Sequence, residues 1–159
     1  MLKYKQDNSG INLTDFLSTT NILTMHNINN KKQLFTNISN ICEKNINISN
    51  SKFLALLLDK EVNENSGIGE GVAIPNIQIS EIKNIFGVFI KLNKSINFNS
   101  IDNEPVDLIF TLISPKNNQP KHLYVLAFLS RLFKDKKKLK NLRASFDKET
   151  IYAILTNKL

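Results

Sequence analysis

Apolar residues recur at helical spacing in the first half of the chain. This period predicts two helices, over residues 31–44 and 51–60, because side chains three or four positions apart share one face of a helix. Asn30, a residue type favoured as a helix N-cap, precedes the first of them. The apolar faces are Leu34, Ile38, Ile41 and Cys42 in the first helix, and Phe53, Leu54, Leu57 and Leu58 in the second.

The pattern then changes to short runs of β-branched residues. The polar, glycine-rich stretch 63–71 indicates a loop, and the runs 72–74, 87–92 and 106–113 after it are typical of buried strands. Helical spacing returns after Pro115 and Pro120, with His122 in the first turn of the predicted helix. A last helix is predicted from Asp147, a good N-cap, to Asn157.

Helices before and after a group of strands indicate the fold class. We predict an α/β protein, a single-domain α/β/α sandwich in which helices flank a central mixed β-sheet. The domain spans residues 1–159, and we expect residues 1–10 to form a mobile N-terminal segment. A length of 159 residues suits one domain of this kind.

Composition excludes several classes of protein. With 42% hydrophobic residues the chain is too apolar for a disordered tail, and its one cysteine, Cys42, excludes a disulfide framework and an all-cysteine zinc site. Cys42 falls on an apolar helix face, where a small core residue is expected. The sequence shows neither an apolar run of about 20 residues nor a signal-peptide core, which predicts a cytoplasmic protein without membrane insertion.

The net charge of +7 is concentrated in one segment. Residues Arg131–Lys140 hold six basic residues and one acid, which gives +5, whereas residues 1–130 hold 12 basic and 11 acidic residues. Only two of the 21 basic residues are arginine, the type preferred for bidentate contacts to phosphate and bases. We therefore interpret the segment as a solvated helical face, with a nucleic-acid or polyanion patch as the alternative.

The segment from Ser66 to Asn76 is the first candidate for chemistry. Its alternating glycines, Gly67, Gly69 and Gly71, permit positive φ and could expose backbone N–H groups to an anion. The spacing G-x-G-x-G before a strand does not match a dinucleotide fingerprint or a Walker loop. The alternative is a tight loop that leads into a strand.

Two further segments carry polar groups beside apolar runs. Asp102-Asn103-Glu104-Pro105-Val106-Asp107 leads into the strand 106–113, and acidic residues in such positions are usually solvated. His122 opens a helix, where a single histidine is more often a surface or capping residue than a ligand. His26 lies in a polar, asparagine-rich stretch and supports no functional hypothesis.

Taken together, these segments resemble the type-2 enzyme IIA family of the phosphoenolpyruvate-dependent phosphotransferase system, the fructose/mannitol class that includes the nitrogen-regulatory enzyme IIA. The family pattern runs R-E, S-T-G-I-G-x-G-V-A-I-P-H, D-x-x-P-V-D-L and H-L. This chain has Lys60-Glu61, then N-S-G-I-G-E-G-V-A-I-P-N over 65–76, then D-N-E-P-V-D-L from Asp102 and His122-Leu123. The blocks occur in family order, so the resemblance covers nearly the whole chain.

Asn76 departs from the pattern at the chemically decisive position. The resemblance implies a histidine there that accepts phosphate from phospho-HPr, and an amide nitrogen cannot replace it because its lone pair is delocalised into the carbonyl. Lys60 stands where the family has an arginine, which keeps the charge and loses the bidentate fork. The second family histidine is retained as His122, which we expect either to hydrogen-bond to Asn76 or to be a structural residue of the helix start.

These residues lead to three functional hypotheses. The first is a regulatory enzyme IIA-like protein that cannot accept phosphate at Asn76 and binds its partners in an unphosphorylated-like state. The second is an active phosphocarrier with His122 as the acceptor, and the third is a polyanion binder through Arg131–Lys140. Expected partners are an HPr-like phosphocarrier or regulatory targets such as kinases or transporters. No cofactor or metal is expected, and Ser66, Gly67, Gly69 and Gly71 are the candidate anion-binding residues.

Overall fold

A computed structural model describes residues 10–156 of the chain. The helices are α1 (Lys31–Ile46), α2 (Asn50–Asn63), α3 (Gln119–Leu132), α4 (Lys136–Ala144) and α5 (Lys148–Leu155). The strands are β1 (Ile22–Met25), β2 (Gly67–Gly69), β3 (Val72–Ala73), β4 (Asn76–Ile79), β5 (Phe86–Ile96) and β6 (Val106–Pro115). Residues 1–9, most of the predicted mobile segment, and residue 157, the predicted end of the last helix, lie outside the described residues.

The six strands form one mixed sheet around β6. Its path is β1–β5–β6–β3–β2, and β4 also pairs with β6. β5 runs antiparallel to β6, whereas β3 and β4 run parallel to it and occupy successive stretches of the same edge. Pro75 separates them because proline has no N–H to donate, although its carbonyl still accepts a bond from the Leu112 N–H. This interruption lies immediately before Asn76.

Helices cover both faces of the sheet and bury two apolar clusters. Helices α1 and α2 pack on one face, through residues such as Phe35 and Phe53, and α3, α4 and α5 pack on the other, through residues such as Leu129 and Leu142. Side chains of β5 and β6 contribute to both clusters, because successive residues of a strand point to opposite faces. The predicted α/β/α sandwich with a central mixed sheet is confirmed.

Most predicted elements are present with small changes of boundary. The predicted helices correspond to α1, α2, α3 and α5, with Asn30 and Asp147 as side-chain N-caps, and the runs 87–92 and 106–113 lie within β5 and β6. Cys42 is fully buried, as expected for a core residue, and burial raises the pKa of its thiol to about 12.

The structure corrects the sequence-based prediction in four regions. The predicted loop 63–71 contains β2, which pairs with β3 as a hairpin. Strands β1 and β4 and helix α4 were not predicted separately. The basic segment 131–140 is divided between the end of α3, a turn and the first half of α4. Leu139 is buried there, whereas Lys134, Lys136, Lys137 and Lys140 are exposed, which fits a solvated face.

Candidate functional site

Three predicted site residues, Lys60, Asn76 and His122, meet at one edge of the sheet. Lys60 lies in the last turn of α2, on one face of the sheet, and His122 lies in the first turn of α3, on the other face. Asn76 is the first residue of β4, between the two layers. The break in the edge at Pro75 therefore places the Asn76 side chain where both helices can reach it.

Both hydrogen bonds described for the Lys60 ammonium group are made to Asn76. Its Nζ donates to the backbone oxygen of Asn76 at 2.6 Å and to the side-chain Oδ1 at 2.7 Å. Burial lowers the pKa of Lys60, and the nearby carboxylates of Glu64 and Glu61 oppose that shift. The ammonium thus sits in a partly desolvated position with neutral oxygens as its direct partners.

The imidazole of His122 bridges Asn76 and β6. Its Nε2 lies 3.2 Å from Asn76 Oδ1, and its Nδ1 lies 2.8 Å from Ser114 Oγ. Because Oδ1 can only accept, Nε2 carries the proton, and in the neutral ring Nδ1 accepts the Ser114 hydroxyl proton. Burial, and secondly the positive charge of Lys60, lower the pKa of His122, which favours this neutral form.

The expected hydrogen bond between His122 and Asn76 is therefore present. The expectation of a surface histidine is wrong, because the His122 residue is only 4% exposed. Packing of α3 against the sheet turns the first-turn ring inwards, towards Ser114 at the end of β6. Sequence reasoning missed Ser114, whose position opposite Gln78 depends on the register of β4 and β6.

The side-chain oxygen of Asn76 has both of its acceptor positions occupied, and its NH₂ group makes one bond. Its Nδ2 donates to the Ile74 carbonyl at 3.0 Å, while Oδ1 accepts from both Lys60 and His122. The reversed amide would turn the NH₂ group towards the ammonium, so these contacts fix its orientation. The Oδ1 atom of Asn76 is therefore the shared hydrogen-bond acceptor of the Lys60 ammonium and the His122 imidazole.

Ser114, His122 and Asn76 also have the connectivity of a nucleophile, a base and an orienting group. Ser114, however, is only 1% exposed, so its hydroxyl is inaccessible to a substrate. We therefore assign its hydroxyl the role of orienting the His122 ring.

The glycine segment forms the β2–β3 hairpin, and two of its backbone N–H groups are bound by side chains, whereas the buried Oγ of Ser66 has no hydrogen-bond partner among the described residues. The Ser66 N–H donates to Glu61 Oε1 at 3.1 Å, and the Gly67 N–H donates to Asn65 Oδ1 at 2.8 Å. An anion cradle that used these donors requires both bonds to open. The anion-binding role of Ser66, Gly67, Gly69 and Gly71 therefore stays a prediction, and the tight turn into a strand describes this conformation better.

Neither a metal cluster nor a membrane span occurs in the described part of the chain. Within residues 10–156, no group of three or more His, Cys, Asp or Glu side chains is placed to hold a metal ion. The helices of the same region are too short or too polar to cross a membrane.

Comparisons with known proteins agree with this architecture. The chain is 34% identical over 143 residues to a nitrogen regulatory protein of Bradyrhizobium diazoefficiens, which covers 90% of this chain and 94% of the relative. It is 34% identical over 128 residues to the nitrogen regulatory protein of Escherichia coli, covering 80% and 78% of the two chains. The crystal structure of nitrogen regulatory protein IIA-Ntr from Neisseria meningitidis superposes with a TM-score of 0.86 at 32% identity, covering 91% of this chain and 99% of that one.

The family match extends over almost the whole chain. Residues 15–158 match the family described as phosphoenolpyruvate-dependent sugar phosphotransferase system, EIIA 2. This range includes every element from β1 to α5 and the three residues that meet at the edge of the sheet. The chain belongs to the type-2 enzyme IIA family of the phosphoenolpyruvate-dependent sugar phosphotransferase system.

Proposed function

We propose that this protein is a regulatory enzyme IIA of the nitrogen-regulatory type that binds its protein partners without being phosphorylated at the usual site. The single observation that carries the proposal is the place of Asn76, whose side-chain oxygen joins the Lys60 ammonium and the His122 imidazole. The family resemblance implies that the phosphate acceptor stands at this position.

Asn76 lacks the chemistry that acceptance requires. Attack on phosphorus needs an available lone pair, and the nitrogen of a carboxamide has none at neutral pH because it is delocalised into the carbonyl. The neighbouring groups do not compensate, since Lys60 and His122 donate hydrogen bonds to Asn76 and cannot activate its nitrogen. The protein would then keep the charge of an unphosphorylated enzyme IIA, whereas phosphorylation adds about −1.5 to −2 charges at pH 7.

The geometry of His122 weighs against its use as a substitute acceptor. The nitrogen that faces the site, Nε2, carries the proton in the bond to Asn76, so its lone pair is not available in this tautomer. Exchanging the tautomer would place the Nε2 lone pair against Asn76 Oδ1, where two acceptors would face each other. The ring is also buried, which hinders the approach of a donor protein.

The proposed partners follow from the same reasoning. An HPr-like phosphocarrier is the partner expected for an enzyme IIA that accepts phosphate. For this chain we propose regulatory targets of the kinase or transporter type, which would be controlled by its abundance or by another ligand. The proposal retains the cytoplasmic location expected from the sequence.

The test is a phosphorylation assay with a gain-of-function variant. The wild-type protein and Asn76→His are incubated with phosphoenolpyruvate, enzyme I and HPr, and intact-mass spectrometry records any added phosphate. We expect the wild type to stay unmodified and Asn76→His to acquire one acid-labile phosphate, with Lys60→Arg in the same chain increasing the yield.

Controls locate any phosphate that does appear. Stoichiometric acid-labile phosphate on the wild-type chain would contradict the proposal. If His122→Gln then abolished that labelling, the acceptor would be His122, and the active-phosphocarrier hypothesis would replace ours. A nitrogen-regulatory enzyme IIA with an intact acceptor histidine is the positive control for the phosphocarrier mixture.

A further inference from the structure

The β2–β3 hairpin, which leads directly to Asn76, has little stability of its own. Three of the five residues from Gly67 to Gly71 are glycine, and an isolated two-stranded hairpin is marginal in water. Its two turn residues, Glu70 and Gly71, have φ angles of 57° and 77°, and this conformation is strained for the glutamate. The hairpin therefore depends on contacts from outside.

Arg143 supplies such contacts from the C-terminal end of α4. Its Nη2 donates to the Glu70 carbonyl at 2.6 Å, while Nε and Nη2 bind the Asp107 carboxylate, each at 2.9 Å. The Glu70 N–H is bound from elsewhere, by Asp102 Oδ2 at 3.0 Å. Side chains thus bind both the N–H and the carbonyl of Glu70, the strained turn residue. Arg143 links that residue to Asp107 at the start of β6.

A buried lysine fixes the part of α4 that carries Arg143. The Lys91 ammonium donates to the carbonyl oxygens of Leu142, Arg143 and Ser145, at 3.2, 2.6 and 2.6 Å. These carbonyls lie at the helix end, where backbone acceptors have few helical partners, although the Leu142 oxygen also accepts from the Ser145 N–H at 3.3 Å. The base of the Arg143 side chain is therefore anchored to β5, and its tip is anchored to β6 and the hairpin.

Hydrogen bonds connect the clamped turn with the site. From the turn, β2 and β3 pair back to the base of the hairpin, where the Ile74 N–H donates to the Ser66 carbonyl at 2.8 Å. The Ile74 carbonyl in turn accepts from Asn76 Nδ2 at 3.0 Å. Arg143 binds β6 at Asp107, and Asn76 pairs with β6 at Leu112. These two positions are about 17 Å apart along the strand, at ~3.4 Å per residue.

We infer that Arg143 is a positioning residue for the site: it clamps the hairpin turn and thereby holds Asn76 in the orientation that binds Lys60 and His122. This inference goes beyond the proposed function, because it applies whether or not the site takes phosphate. The role suits arginine, since its guanidinium holds five donors in a fixed planar fork that binds both Asp107 oxygens and still donates to the Glu70 carbonyl, whereas an ammonium is a point charge without that fixed geometry. Asp102 and Asp107, singled out in the sequence as carboxylates beside a strand, thus serve the hairpin.

The two arginines of the chain provide a matched pair of variants. Arg143→Lys is compared with Arg131→Lys, which makes the same change at the end of α3. Native-state amide exchange is followed by NMR in both variants and in the wild type. We expect exchange to rise about tenfold or more from Gly67 to Ile74 in Arg143→Lys, and the Asn76 side-chain NH₂ resonances to shift.

Amides of α1 measure the stability of the whole fold, because that helix packs on the opposite face of the sheet from α4. Asp107→Asn removes the carboxylate from the other side of the clamp and should loosen the same amides. If amide exchange in Arg143→Lys accelerated equally in the hairpin and in α1, Arg143 would be a general stabilising residue, and the inference would be overturned. Arg143→Lys and Arg131→Lys spectra with equal hairpin exchange and an unmoved Asn76 side chain would also overturn the inference. Neither readout involves phosphorylation, so the result is independent of the proposed function.

Discussion

Lys91 is the buried cation on which the end of α4 depends, and its replacement by methionine tests that dependence. The residue is 8% exposed, and its ammonium serves three backbone carbonyls at the end of α4, of which the Leu142 oxygen also accepts from the Ser145 N–H at 3.3 Å. Methionine keeps most of the side-chain volume and removes the charge and the donors. The expected loss is therefore electrostatic and hydrogen-bonding in origin, with little contribution from a cavity.

The magnitude follows from two opposing effects. A buried acceptor that is left unsatisfied costs about 1–3 kcal/mol, and the Arg143 and Ser145 carbonyls would each lose the ammonium as a donor. Against this stands the cost of burying the ammonium itself, which lowers the pKa of Lys91 and is relieved by methionine. Water can also reach some of the carbonyls at the helix end. We expect a net loss of about 2–4 kcal/mol in the free energy of unfolding.

The assay is urea unfolding followed by circular dichroism, with Lys94→Met as the control. Lys94 lies on the same strand, three residues further on, and is exposed. Its replacement should change the free energy of unfolding by less than about 0.5 kcal/mol. If Lys91→Met and Lys94→Met unfold at the same urea concentration with the same slope, the carbonyl contacts of Lys91 contribute nothing and the reasoning is refuted.

Two further predictions concern the electrostatics of the site. Because folding lowers the pKa of His122, the unfolded chain binds more protons just below pH 6.5, so stability is lost as the pH falls from 6.5 through the folded-state pKa. Urea unfolding at pH 7, 6 and 5 should show a steeper loss in the wild type than in His122→Gln, by up to about 1.4 kcal/mol per pH unit; parallel pH profiles would contradict this. Lys60→Met should raise the pKa of His122 in an NMR titration without restoring its usual value, because burial is the larger cause, and Lys60→Arg should leave it low. An unchanged pKa in Lys60→Met would exclude the charge effect.

The elements that could be predicted from sequence are those with enough apolar residues to reveal a period. Helices α1 and α2 each repeat their apolar face several times, and β5 and β6 have long buried runs. Strand β4 alternates buried Ile77 and Ile79 with polar residues, but four residues are too few to distinguish a strand from a loop. Helix α4 has only Leu139 and Leu142 buried within a lysine-rich segment. Two apolar residues are too few to reveal a helical period there.

The residues of the site likewise fall into those that could be predicted from the sequence and those that could not. The resemblance to a family brought Lys60, Asn76 and His122 together, and the expected bond between Asn76 and His122 is present. The partners that orient these residues could not be predicted from the sequence, because their positions depend on strand register and helix packing. Arg143 is 73 residues away from Glu70, and Ser114, although only eight residues from His122, lies in a different element. No local pattern marks either of them as part of the site.

The charge of the site gives the strongest physical reason to expect that Asn76 matters for function. Lys60 and His122 both have lowered pKa values because they are partly buried, and Lys60 adds to the shift of His122. Two basic groups that converge in a desolvated position are a suitable receptor for negative charge, yet the atom they share is a neutral amide oxygen. An external anion would have to displace that oxygen and break its bonds to both groups. A phosphorylated side chain at residue 76 would instead bring its negative charge to them directly. Replacing Asn76 by histidine should therefore make the pKa of His122 depend on phosphorylation, rising when phosphate is attached, while in the wild-type chain the phosphocarrier mixture leaves it unchanged.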